Sequence, residues 1–167
     1  GPEHCHNVYR KNKGGKGSFM QVMRGINLLQ KHQVEFNTLS VVNDYNVQFP
    51  LDVYRFFKEI GSRYMQFTPI VERVSDSRAD GLKLLPPDDI LDARLALWTV
   101  DPVAFGKFYI EIFDEWVRND VGQFYVQLFD STLANHIGAQ PGVCIFAEKC
   151  GHAGVMEFNG DVYSCDH

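Results

Sequence analysis

Residues 34–70 read VEFNTLSVV (34–42), NDYNVQF (43–49), PLDVYRFFKEIG (50–61) and SRYMQFTPI (62–70). The outer pieces are rich in β-branched and aromatic residues, which predicts strands buried for most of their length over 34–42 and 63–70. Pro69 has no N–H to give to a ladder, so the second strand should end near it. Between them, Pro50 suits the first turn of a helix and Gly61 its end. Leu51, Tyr54, Phe57 and Ile60 supply that helix with an inner face. Strand, helix and strand joined by short connections favour a parallel sheet with right-handed crossovers.

The alternation continues on both sides. Upstream, Ser18 with Gln21 has capping-box spacing. Phe19, Val22, Met23, Ile26 and Leu29 then recur as one apolar helical face. The polar residues 1–17, ending in Lys13-Gly14-Gly15-Lys16-Gly17, read as an exposed loop. Downstream, residues 72–89 are charged and contain Asp80-Gly81 and Pro86-Pro87, an insertion or lid-like loop, with a turn of helix at 88–96. Asp101-Pro102 opens a helix carrying Phe105, Tyr109, Ile112 and Trp116 on one side. A third strand is expected over Phe124–Phe129 and a short helix over 130–137. Three strands are too few to close a barrel, so the pattern suits half of a larger α/β barrel. Both ends read as cuts: Gly1-Pro2 brings neither an initiator Met nor an apolar signal core, and Cys165-Asp166-His167 stops within a motif.

The 167 residues, 45% hydrophobic and 22% charged, suffice for one sizeable core. A formal charge of −5 argues against a broad basic face for nucleic acid. No apolar run approaches the roughly 18 residues of a membrane span.

Three of the four cysteines crowd the last quarter, as Cys144, Cys150 and Cys165, spaced C-x5-C-x14-C and followed at once by Asp166. Val155–Phe158 and Asp161–Ser164 read as hairpin arms around Asn159-Gly160, the preferred two-residue turn. That hairpin folds Cys165 toward Cys150 and leaves Asp166 beside any bound metal. Three thiolates suit zinc or an iron–sulfur cluster. The short C-x2-C knuckles usual in structural zinc sites are absent. The competing reading is three small buried cysteines. Spacing alone says metal or cluster site and implies no reaction.

The phrase Asn159-Gly-Asp-Val-Tyr-Ser-Cys-Asp166, with Cys144 and Cys150, resembles the opening of the SPASM region of anaerobic sulfatase-maturating enzymes, a radical S-adenosylmethionine (SAM) family. Gly1-Pro2 resembles the end of that family's Ser-x-Asp-Gly-Pro motif, and His6-Asn7-Val8-Tyr9-Arg10 its following His-Asn/Asp-x-x-Arg. Val34–Asn37 and Gln66-Phe67 are similar to its middle strands, and Phe113–Asp120 to a helix of its bacterial members.

The resemblance implies the C-terminal half of a partial (β/α)6 radical SAM barrel over residues 1–137, then the start of a cysteine-rich SPASM region over 138–167. It implies [4Fe–4S] clusters and SAM as cofactors, with Cys144, Cys150 and Cys165 as ligands of an auxiliary cluster. Arg10 and Val71 would contact SAM, and Asp166 would be the catalytic base. The implied reaction converts a Cys or Ser of a sulfatase polypeptide to formylglycine. A 5′-deoxyadenosyl radical removes a Cβ hydrogen, the aspartate takes a proton, and an electron leaves through the auxiliary clusters. The implied setting is cytoplasmic, away from nucleic acid and membrane, with a flavodoxin or ferredoxin as electron donor. The family's C-x3-C-x2-C motif is absent, so this polypeptide alone is expected to be inactive. The alternatives are a SPASM enzyme acting on another peptide and a non-catalytic metal-stabilised domain.

Other signals are weaker. Gly14–Ser18 lacks the Walker order and a preceding strand. His4-Cys5-His6, His152 and His167 carry ligating atoms without a ligand pattern.

Overall fold

The computed structural model describes residues 1–75, 83–84, 93–140, 142–149 and 154–164. It forms two compact units, Gly1–Phe124 and Tyr125–His167. The expected boundary at 138 lies inside the second.

The first unit starts with a short helix where a loop was expected. Helix α1 (Glu3–Tyr9) forms because the Pro2 carbonyl accepts the N–H groups of Cys5 and His6, which buries Cys5. Helix α2 (Phe19–Lys31) begins as expected, but without a capping box. The Ser18 hydroxyl donates instead to the Arg10 carbonyl at 2.9 Å and meets His6 Nε2 at 3.0 Å. Strand β1 (Thr38–Val42) pairs in parallel with β2 (Tyr64–Pro69), in the register Thr38 to Met65 through Val42 to Pro69. β1 is shorter than the apolar run at 34–42, because the chain leaves α2 through Gln33 at φ 55° and pairs only from Thr38.

One face of this pair, Ser40, Val42, Met65 and Phe67, is buried. Helix α3 (Pro50–Glu59) covers it with Val53 and Phe57. Gly61, at φ +73°, closes α3, with its N–H on the Lys58 carbonyl and the Ser62 N–H on Phe57. Helix α4 (Pro102–Asn119) is capped by Asp101, whose carboxylate accepts the Ala104 N–H at 2.8 Å. Its buried residues are Phe108, Ile112 and Trp116, with Phe105 and Tyr109 on the flank. The Phe67 ring meets Phe108 edge-on at 5.4 Å, and the Tyr109 hydroxyl donates to the Phe67 carbonyl at 2.7 Å.

α3 and α4 are also bolted together by charge. The buried Tyr54 hydroxyl donates to Asp120 Oδ2 at 2.7 Å, and Lys58 Nζ sits 2.7 Å from the same oxygen. Lys58 lies over the rings of Tyr54 and Phe124, at 5.1 and 5.5 Å. Arg55 makes a two-pronged contact with Glu115.

The expected loop at 72–89 contains strands. β3 (Arg73–Ser75) pairs antiparallel with β4 (Lys83–Leu84) and with β5 (Ala93–Leu95). The helical turn expected at 88–96 is therefore not formed at 93–95, where backbone donors go to a ladder; residues 88–92 lie outside the described part.

In the second unit, β6 covers only Tyr125–Val126, and helix α5 (Gln127–His136) starts where the third strand was expected to continue. Asp130, in the first turn of α5, takes backbone hydrogen bonds from Val126 and from its own N–H, so the chain is already helical where the strand was expected to run on. A 3-10 turn, Cys144–Phe146, follows, then the strands β7 (Val155–Met156) and β8 (Val162–Tyr163). Among the described residues, no helix is long and apolar enough to cross a membrane.

Candidate functional site

The first unit holds a cleft of about 870 Å³ running along β1 between α1, α2 and α3. Helix α2 buries no residue fully, and its apolar face of Phe19, Val22, Met23 and Ile26 walls the cleft. The opposite wall is β1 with Phe56, Phe57 and Ile60. Arg10 stands at the end of α1 and, among the described residues that line the cleft, is the only charged side chain. Its carbonyl accepts the backbone N–H and the hydroxyl of Ser18. The backbone is thereby pinned, while the guanidinium has no partner among the described residues. The neighbouring His6 imidazole is pushed below its ordinary pKa, chiefly by burial, so it lines the cleft as a neutral group.

Where the strands end, three loops and the end of α1 meet. The Tyr9 hydroxyl donates to Asp44 Oδ1 at 2.7 Å, and burial first, then this hydrogen bond, lifts its pKa to about 12. The Asp44 N–H donates to the Trp98 carbonyl at 3.2 Å, and the Trp98 indole N–H donates to Glu72 Oε2 at 2.5 Å. Thr99 Oγ1 lies 3.2 Å from both the N–H and the carbonyl of Glu72. Trp98 and Ile70 line the cleft, and Val71 does not: its side chain is 65% exposed. In a strand-like run, successive side chains point to opposite faces, so one position decides which residue faces the cleft. Sequence reading missed Trp98 and Glu72 because they lie in connections with no motif.

The second unit carries Cys144, exposed at the start of its 3-10 turn. Cys150, Cys165 and Asp166 lie outside the described residues, as do His152 and His167. The hairpin that precedes Cys165 is present, with a different turn. The Gly160 N–H donates to the Glu157 carbonyl, Glu157 N–H to Asp161, and of the turn residues only Gly160, at φ +91°, has a positive φ. This is a three-residue loop with a glycine bulge, not a two-residue turn. The pairing Met156 to Val162 and Val155 to Tyr163 is one residue away from the expected register.

The remaining signals are used up structurally. The N–H groups of Gly14 and Lys16 both donate to Asn12 Oδ1, so that glycine-rich loop has no free cradle for phosphate. Cys5 is buried, and burial lifts its thiol pKa to about 11. His4 faces Asp52 at 3.8 Å while His6 faces Ser18, so His4-Cys5-His6 does not converge. Among the described residues, no group of three or more His, Cys, Asp or Glu gathers around a point.

No protein-family model matches the chain. It is 59% identical over all 167 residues to the serine-type anaerobic sulfatase-maturating enzyme of Bacteroides thetaiotaomicron. This chain is a relative of the anaerobic sulfatase-maturating enzymes. The cysteine-type enzyme of Clostridium novyi is 30% identical over 168 aligned residues and 99% of the chain. The chain spans 40% of the first relative's length and 41% of the second's. Among solved structures, native anSMEcpe with bound AdoMet superposes over 99% of the chain and 42% of its own, with a TM-score of 0.77 at 27% identity. The same protein with AdoMet and a Cp18Cys peptide also gives 0.77. The mixed α/β fold therefore matches part of the anSMEcpe structure.

Proposed function

We propose that this chain works within a longer polypeptide as part of a radical SAM barrel and the start of a SPASM region, in an enzyme that oxidises a sulfatase side chain to formylglycine. The observation that carries this reading is 59% identity along the entire chain to a serine-type maturase. It also favours serine as the residue modified.

The donor set fits the cofactors. Among the described residues, Arg10 offers an unpaired guanidinium fork to a cleft lined by no acidic side chain, which suits the carboxylate of SAM. Val71, next in the chain to the cleft-lining Ile70, is the second proposed contact to SAM. Cys144 presents an exposed thiol, and with Cys150 and Cys165 would hold an auxiliary [4Fe–4S] cluster. When bound, SAM and its cluster supply the one-electron oxidising chemistry. The chain's own part is to orient SAM through Arg10, to hold iron through the three sulfurs, and to accept the substrate proton on Asp166. A reduced flavodoxin or ferredoxin would supply electrons, in the cytoplasm. Cut from the rest of the polypeptide, the chain would not act on SAM.

The test is Asp166→Asn in the full-length enzyme, reconstituted without air. Formylglycine in a serine-containing sulfatase peptide should fall below detection by mass spectrometry while SAM cleavage stays measurable. Unchanged peptide conversion would remove Asp166 from the reaction.

A further inference from the structure

We infer that Trp98, fixed by Glu72, is the wall against which the planar base of the bound nucleoside lies; this rests on the reading of the cleft as a SAM site. Three observations carry it. Trp98 is half-buried and lines the cleft that Arg10 also lines. Its indole edge is tied by a hydrogen bond to the Glu72 carboxylate, and its carbonyl is held by the Asp44 N–H, so the ring is set before any ligand arrives. Glu72 is itself fastened to Thr99, next to Trp98 in the chain. The ring also stands where β1 and β2 end, at the carboxyl edge where open parallel sheets bind ligands.

A ligand with a carboxylate at one end and a flat aromatic at the other matches this arrangement. The carboxylate goes to the single cation, and the base goes to the fixed indole and the aliphatic Ile70. The resemblance to maturases also points to Val71, which follows Ile70 in the chain and is 65% exposed, while Trp98 and Ile70 themselves line the cleft. An aromatic platform is sequence-tolerant in the same sense as in nucleic-acid sites, since every base has a π-face.

The experiment is equilibrium dialysis with the full-length reconstituted enzyme under anaerobic conditions. The probes are S-adenosyl-L-homocysteine, which has both ends, and 5′-methylthioadenosine, which lacks the carboxylate. Trp98→Leu should weaken both by about tenfold, a typical loss for one stacked base. Trp98→Phe should recover most of the affinity. Glu72→Ala, which frees the ring, should weaken methylthioadenosine several-fold with Trp98 intact. Arg10→Ala should weaken the homocysteine compound alone. Retained Arg10 dependence with wild-type affinity in Trp98→Leu overturns the stacking role and leaves the SAM reading standing. Loss of discrimination by Arg10→Ala, with Trp98 still required for methylthioadenosine, overturns the SAM orientation while the stacking role stands. If Trp98→Phe is as weak as Trp98→Leu, packing and not an aromatic face explains the effect, and the inference falls.

Discussion

Asp120 is the shared acceptor that locks α3 to α4, and removing it should destabilise the first unit strongly. Its carboxylate is 7% exposed and takes the Tyr54 hydroxyl and the Lys58 ammonium on one oxygen, each at 2.7 Å. Breaking a buried ion pair from one side costs about 3–5 kcal/mol, because the partner stays buried without compensation. Lys58 is 22% exposed and has a flexible stem, so it reaches water and brings the estimate for Asp120→Ala to about 3 kcal/mol. Tyr54→Phe removes a hydrogen bond to a charged acceptor that keeps Lys58, at about 1.5 kcal/mol. Once Asp120 is gone, the Tyr54 hydroxyl has lost this carboxylate, and deleting it should cost little more. The double variant should then lose about 3 kcal/mol, not the sum of about 4.5, which leaves a coupling of about 1.5 kcal/mol. The assay is urea unfolding followed by tryptophan emission, since Trp116 lies one helical turn from Asp120 and bonds the Phe124 carbonyl. In thermal scans Asp120→Ala should appear as a loss of about 6–12 °C. Additive losses, with a coupling below about 0.5 kcal/mol, would show that the two donors do not depend on one carboxylate.

Two further outcomes follow from titrating groups. Glu115 is held below its ordinary pKa, first by the Arg55 hydrogen bond, so its contribution is complete above the unfolded value of 4.5 and is lost as pH falls through the lower folded value. Acid unfolding of Glu115→Gln should therefore be less steep below pH 4.5 than that of the parent, and identical profiles would refute the linkage. Cys5, with its thiol pKa raised to about 11, should resist iodoacetamide at pH 8 while the exposed Cys144 of metal-free protein reacts. Peptide mapping that finds Cys5 alkylated as fast as Cys144 would contradict its burial.

The helices with chemical punctuation were legible in the sequence. Pro50 and Gly61 bracket α3 because one fixes φ for the first turn and the other accepts the left-handed position after the last. Asp101-Pro102 opens α4 for the same kind of reason. What periodicity does not reveal is the partner. α2 and α3 carry similar apolar stripes, yet α3 buries Val53, Tyr54 and Phe57 while α2 turns its stripe to a cleft and buries nothing fully. Strand lengths fail likewise, since a ladder runs only as far as its neighbour, which shortens the run 34–42 to Thr38–Val42. The strands β3 to β5 escaped because charge and proline pairs dominate that stretch and hide two- and three-residue ladders. In the candidate site, Arg10 was found through a motif and does line the cleft, whereas Trp98 and Glu72 belong to no pattern and emerge only when the loops are brought together.

The short helix α1 explains how one arginine can be positioned without an acid beside it. A surface arginine is usually fixed by a carboxylate, but a carboxylate at this point would compete with an anionic ligand for the same fork. Here the fixing is done through the backbone. Asn7 Oδ1 accepts the Phe19 N–H at 3.1 Å and Ser18 returns two hydrogen bonds to the Arg10 carbonyl, so α1 is fastened to the start of α2 on either side of the residue. Gly17 has to be glycine for this to hold, since a Cβ there would come within 2.2 Å of the Asn7 amide. The Tyr9 to Asp44 bond ties the same helix end to the loop after β1. The positive charge is thus delivered to the cleft with its five donors uncommitted among the described residues. A ligand carboxylate would then gain the full fork without first displacing a protein anion, which is the physical argument for the proposed contact between Arg10 and the amino-acid end of SAM.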